Sequence, residues 1–123
     1  MINRKFEKEA TIALYNCKYL PNTKNEVEEI VRDLANKLDV SIVSSDFYQH
    51  PGGGITATYI IEESLLAIDT WPEYSTIIVR ISTCNPNSDF EKAKDYLKRK
   101  FKPNKIVTYH QGEIPLYLAE QER

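Results

Sequence analysis

The stretch Glu63-Ser64-Leu65-Leu66-Ala67-Ile68-Asp69-Thr70-Trp71-Pro72-Glu73-Tyr74 decides how the chain folds. Strand-like sequence flanks it, with Ile55 to Ile61 before it and Ser75 to Thr83 after it, both rich in β-branched residues. Leu65 to Asp69 reads as a further strand, and Trp71-Pro72-Glu73-Tyr74 as a turn. Gaps this short make the three strands an antiparallel meander. Glu63-Ser64 interrupts the apolar run without the usual turn residues. Such a corner is costly to bury unless its polar groups have partners. From spacing alone it reads as a sheet corner whose hydroxyl and carboxylates are solvated or hydrogen-bonded locally.

Upstream lies His50-Pro51-Gly52-Gly53-Gly54. Three glycines suit a turn with positive φ or a close backbone approach. A phosphate loop is the weaker alternative, because no Lys-Ser/Thr follows and the next segment is a strand. A strand starting at Val40 and running towards Tyr48 precedes the turn. Before that, Thr23 and Glu26 form a capping-box pattern, and Val27, Ile30, Val31, Leu34 and Leu38 recur at helical spacing. Thr11 to Tyr15 alternates as a strand, and the charged Lys5 to Ala10 reads as a frayed lead-in. Cys17 reads as a small buried apolar residue.

Downstream, Asn85-Pro86-Asn87-Ser88 punctuates the end of the sheet. Ser88 with Glu91 repeats the cap pattern, and Phe90, Ala93, Leu97 and Phe101 predict a second amphipathic helix. Lys98, Arg99, Lys100 and Lys102 fall at its C-terminal end, where cations suit the helix dipole better than they suggest nucleic-acid binding. Pro103 stops the helix, Lys105 to Tyr109 supplies a last strand, and Glu113 to Arg123 reads as a tail ordered only in part. The order β-α-β-β-β-β-α-β predicts an α+β, two-layer sandwich with two helices on one face of a largely antiparallel sheet.

Composition agrees with one soluble domain over residues 1–123: 41% hydrophobic and 28% charged residues, with a formal net charge of -2. That balance gives no broad nucleic-acid footprint. No apolar run has the length of a membrane span, and no signal-peptide core follows the basic N-terminus, so a cytoplasmic location is expected. Two cysteines, Cys17 and Cys84, and two histidines, His50 and His110, form no zinc-spaced cluster, so no metal is expected.

Glu63-Ser64, then Thr70-Trp71-Pro72-Glu73-Tyr74, then Thr83-Cys84, resembles the short prokaryotic S-adenosylmethionine decarboxylase proenzymes. Their pattern is roughly Glu-Ser-His-Leu-Ser-Ile-His-Thr-Trp-Pro-Glu-Tyr followed by Phe-Thr-Cys. The resemblance runs from about Ile12 to Gly112. Two departures fall inside the motif: the family's histidines stand here as Leu65 and Asp69. A third lies upstream, where Ala13-Leu14-Tyr15-Asn16-Cys17 replaces Asp-Leu-Tyr-Gly-Cys.

The resemblance implies self-cleavage between Glu63 and Ser64. The Ser64 hydroxyl would attack the Glu63 carbonyl carbon, a base would remove the Ser64 α-proton, and elimination would leave a covalent pyruvoyl cofactor at position 64. That carbonyl condenses with a substrate amine and draws electrons as CO₂ leaves. By resemblance, Cys84 is the acid that reprotonates the product, Thr56 assists cleavage, and position 69 holds the base. Glu73 contacts the substrate, His50 stands where the family stacks an aromatic ring on adenine, and Trp71 lines the same region. A free carboxylate is a weaker base than imidazole. Burial of Asp69 beside Glu63 would raise its pKa. The resemblance also implies a homodimer packed sheet on sheet.

Three functions fit these residues. The first is a pyruvoyl-dependent decarboxylase acting on S-adenosylmethionine in polyamine (spermidine) synthesis. The second is the same chemistry on a basic amino acid, arginine or ornithine, motivated by His50 and Leu65. The third is a non-processing homologue that binds a metabolite or serves as a regulatory subunit, motivated by Asp69 and Leu65.

Overall fold

A computed structural model describes residues 5–118. Its elements are β1 (Phe6–Tyr15), α1 (Lys24–Leu38), β2 (Ser41–Gln49), β3 (Ile55–Glu62), β4 (Ser64–Trp71), a 3₁₀ turn (Pro72–Tyr74), β5 (Thr76–Thr83), α2 (Phe90–Phe101) and β6 (Lys105–Pro115). The six strands form one sheet in the order β2-β3-β4-β5-β1-β6, with antiparallel pairing throughout. The fold is the α+β sandwich expected from the element order. The β3–β4–β5 meander runs in continuous register, Thr56 opposite Asp69 and Asp69 opposite Ile78.

Both helices pack on one face of the sheet. The predicted stripe of α1 is fully buried at all five positions, as are Ala93, Leu97 and Phe101 of α2. They meet Ile55, Ala57, Leu66, Ile68, Ile77, Val79, Ile12 and Leu14, the alternate residues of four strands. Each large aliphatic side chain buried this way contributes about 1.5–3 kcal/mol. The opposite face carries exposed apolar side chains, among them Ile60, Leu65 and Trp71. No helix among the described residues is long and apolar enough to cross a membrane.

Capping follows the sequence at α1. The Glu26 N–H donates to Thr23 Oγ1 at 3.2 Å, and the Glu26 carboxylate accepts from the Thr23 hydroxyl at 3.0 Å. At α2 the expectation fails by one residue. Asp89 is the cap, accepting from the Glu91 and Lys92 N–H groups, while Ser88 points inward and donates to the Leu38 carbonyl. A buried hydroxyl takes the partner that burial leaves it.

The lead-in at Lys5 to Ala10 is the larger correction. Phe6 to Ala10 is the first half of β1, a central strand bonded to β5 and β6. Its charges are tolerated because each has a partner: Lys8 Nζ donates to the Ser88 carbonyl, Glu9 pairs with His110, and Glu7 meets side chains at the start of β4. The expected tail is strand as far as Pro115; its last five residues, 119–123, lie outside the described region.

Candidate active site

Ser64 opens β4 with φ 130°, a left-handed-side value that an L-residue adopts only when its surroundings hold it there. Its register partners are Ile61 on β3 and Thr83 on β5. The strand therefore pins the Glu63–Ser64 bond from both sides. The carbonyl oxygen of Glu63 accepts the backbone N–H of Cys84 at 3.1 Å. That bond draws electron density from the carbonyl carbon a Ser64 hydroxyl would attack.

The Ser64 Oγ lies 3.0 Å from the Ser82 Oγ and donates to Glu7 Oε1 at 3.3 Å. Ser82 Oγ donates to the same Glu7 oxygen, and Cys84 Sγ sits 3.9 Å from Glu7 Oε2. Ser64 of β4, Ser82 of β5 and Cys84 just after β5 thus gather on the Glu7 carboxylate of β1, at the residue that follows the Glu63–Ser64 bond. Glu7 and Ser82 were missed in the sequence. The Phe6-Glu7-Lys8-Glu9 run has no period-two apolar signal to mark a strand, so nothing placed Glu7 against the sheet.

A second set of side chains gathers at the other end of β4. His50, Thr56, Asp69, Trp71 and Glu73 line a cavity of about 220 Å³. Thr56 Oγ1 donates to Asp69 Oδ1 at 2.7 Å, and Arg80 Nη1 donates to Asp69 Oδ2 at 2.7 Å. His50 Nε2 is 2.9 Å from the Thr56 oxygen. The Thr56 proton is committed to the carboxylate, so His50 is the donor in that contact. The His50 ring meets Tyr48 edge-on, with centroids 4.8 Å apart. Gly54 lines this cavity, and a Cβ there would meet the Thr70 carbonyl oxygen at 2.8 Å, the close approach anticipated for the glycine run. Gly53 supplies the positive φ, 95°.

The chain therefore brings Glu63, Ser64 and Cys84 together, and separately His50, Thr56, Asp69, Trp71 and Glu73. It does not bring the two sets together. Asp69 is not beside Glu63: five residues of extended strand separate it from Ser64, about 17 Å. Its neighbours are instead Arg80 and Thr56. Cys17 belongs to neither set. Its thiol donates to the Leu14 carbonyl at 3.4 Å, and burial pushes its pKa up to about 11.

The solved structure of the adenosylmethionine decarboxylase from Aquifex aeolicus VF5 superposes with a TM-score of 0.77 at 22% identity, covering 94% of this chain and 95% of that one. The S-adenosylmethionine decarboxylase proenzyme of Pyrococcus horikoshii is 30% identical over 99 residues, 80% of this chain and 69% of that protein. A protein of Hyperthermus butylicus named arginine decarboxylase proenzyme is 30% identical over 101 residues, 79% of this chain and 71% of that protein. The family model for S-adenosylmethionine decarboxylase matches residues 8–111, which covers both ends of β4, and the chain belongs to that family.

Proposed function

We propose that the chain cleaves itself between Glu63 and Ser64 and then decarboxylates S-adenosylmethionine, supplying polyamine (spermidine) synthesis. One observation carries the reading: the Ser64 hydroxyl is held by Ser82 and Glu7, next in sequence to a peptide carbonyl whose oxygen is held by the Cys84 N–H. The strained φ of Ser64 favours any step that releases it. Attack by Ser64 Oγ turns the amide into an ester. Loss of the Ser64 α-proton expels the Glu63 carboxylate, and hydrolysis of the dehydroalanine releases ammonia. The pyruvoyl group so formed supplies a ketone carbonyl that draws electrons from the substrate as CO₂ leaves. Cys84 would return a proton to the product carbon, since its thiol already points into this corner.

The cavity at the far end of β4 suits the rest of the substrate, with Glu73 and Trp71 in its lining. It lies too far from Ser64 on the same strand to serve the same molecule. A second copy lying antiparallel on the uncovered sheet face brings its cavity to this Ser64. A homodimer with two composite sites is therefore part of the proposal, and the exposed Ile60, Leu65 and Trp71 give it apolar surface to bury.

A second substrate reading is favoured by one observation. His50 and Asp69 are tied into a polar chain with Thr56 and Arg80, rather than leaving a ring free to stack on a base. Such a cavity suits a basic amino acid, and the Hyperthermus butylicus relative bears the arginine decarboxylase name.

Intact mass under denaturing conditions tests the cleavage. Two chains, residues 1–63 and 64–123, with the second reactive to carbonyl reagents, are expected. A single 14.2 kDa species that persists would overturn the enzyme reading in favour of a non-processing homologue. CO₂ release from S-adenosylmethionine, arginine and ornithine then separates the substrates. Co-expressed Ser64→Ala and Glu73→Ala chains test the composite site. Each variant alone should be inactive, and the mixture should recover about a quarter of wild-type activity, because half the dimers are mixed and each holds one intact site.

A further inference from the structure

We infer that Glu7 is the base that takes the Ser64 hydroxyl proton when the chain cleaves itself, an inference that rests on the self-cleavage proposed above. A carboxylate only accepts hydrogen bonds. Glu7 Oε1 receives the Ser64 hydroxyl directly at 3.3 Å and the Ser82 hydroxyl as well, and Ser82 Oγ is 3.0 Å from Ser64 Oγ. Whichever way the Ser64 hydroxyl turns, its proton leads to Glu7, either directly or through Ser82. Asp69, which the resemblance places as the base for the later loss of the Ser64 α-proton, lies at the opposite end of this chain's β4, bound by Arg80 and Thr56; it serves a different proton and, in the dimer proposed above, the other copy's Ser64. Glu7 is also well fixed. Its strand is paired on both sides, with Lys8 opposite Thr83 on β5 and Glu7 opposite Ile114 on β6.

The step balances without a co-reactant. The Ser64 O–H proton passes to Glu7 as Oγ bonds to the Glu63 carbonyl carbon. The charge building on the Glu63 oxygen is met by the Cys84 N–H at 3.1 Å. The C–N bond to Ser64 then breaks, and Glu7 returns the proton to the Ser64 nitrogen. The amide has become an ester with a free amine, and Glu7 is ionised again. Glu7 thus touches the reacting atoms, and Ser82 acts as a positioning residue and relay.

The test follows the intact mass of refolded full-length chain over time. Wild type should yield two fragments, and Glu7→Gln, nearly isosteric, should be slower by about 100-fold or more, the usual weight of a general base. Glu7→Ala should be equally slow and should recover by about tenfold in concentrated formate, which a purely structural role for Glu7 does not allow. Hydroxylamine should release no fragments from Glu7→Gln, because no ester has formed. Cleavage of Glu7→Gln at the wild-type rate, a Glu7→Ala variant unmoved by formate, or hydroxylamine-released fragments would each overturn the assignment while leaving self-cleavage intact. Wild type that never cleaves overturns both.

Discussion

Cys84 reaches the bond ahead of Ser64 through its backbone: its N–H holds the Glu63 carbonyl oxygen, while its thiol lies 3.9 Å from Glu7. Only the thiol depends on the side chain. Cys84→Ala should therefore still cleave, within about tenfold of the wild-type rate, whereas CO₂ release should fall by about 100-fold or more as the proposed acid is lost. Intact mass and CO₂ release on the same sample separate the two effects. Loss of cleavage together with activity would tell against the division.

The glycine run predicts unequal costs. A Cβ at Gly54 meets the Thr70 carbonyl oxygen at 2.8 Å and Pro72 Cδ at 3.5 Å, whereas one at Gly52 meets nothing within 4 Å. Gly54→Ala should cost about 1–3 kcal/mol, because a backbone oxygen must move. Gly52→Ala should stay within about 0.5 kcal/mol of wild type. Urea unfolding of the two variants checks the contrast.

The two residues before α2 should also separate. Asp89→Ala removes a helix cap exposed to solvent and should cost about 1 kcal/mol. Ser88→Ala leaves the Leu38 carbonyl without its 2.5 Å partner in the buried space between the helices and should cost more, about 1–3 kcal/mol. Equal effects in denaturant titration would mean that Ser88 adds nothing beyond its neighbour.

Alkaline stability should follow Cys17. Burial pushes the folded thiol up to about 11, from an ordinary value of 9.0. Below pH 9 both folded and unfolded thiols are protonated, and the stability is unaffected. Between pH 9 and about 11 only the unfolded chain ionises, so stability falls. Tyr19, raised to about 12 by burial and by its bond to Glu26, extends the decline. Cys17→Ala should flatten the first part of a plot of melting temperature against pH. An unchanged slope would show that the thiol is not responsible.

Much of this was legible from residue patterns. The α1 stripe repeats cleanly because one face is wholly buried, and the Thr23 cap needs only local geometry. The meander follows from short gaps. What stayed hidden depended on long-range pairing. Glu7 looks like a solvated charge until β5 and β6 close on either side of it. Ser88 looks like a cap until Leu38, fifty positions away in sequence, is seen above it. The sequence motif sets Ser64 and Asp69 close together in number, yet an extended strand converts that small interval into opposite ends of the sheet.

The strand order has one more consequence. Cutting before Ser64 divides the chain into a piece carrying β1, α1, β2 and β3 and a piece carrying β4, β5, α2 and β6. In the sheet, β1 of the first piece is inserted between β5 and β6 of the second, while β3 borders β4. The halves are interwoven, and neither owns a contiguous sheet. A severed molecule must therefore unravel its central ladder before its parts can separate. The proposed break would release the new end at residue 64 without loosening the scaffold that aims it.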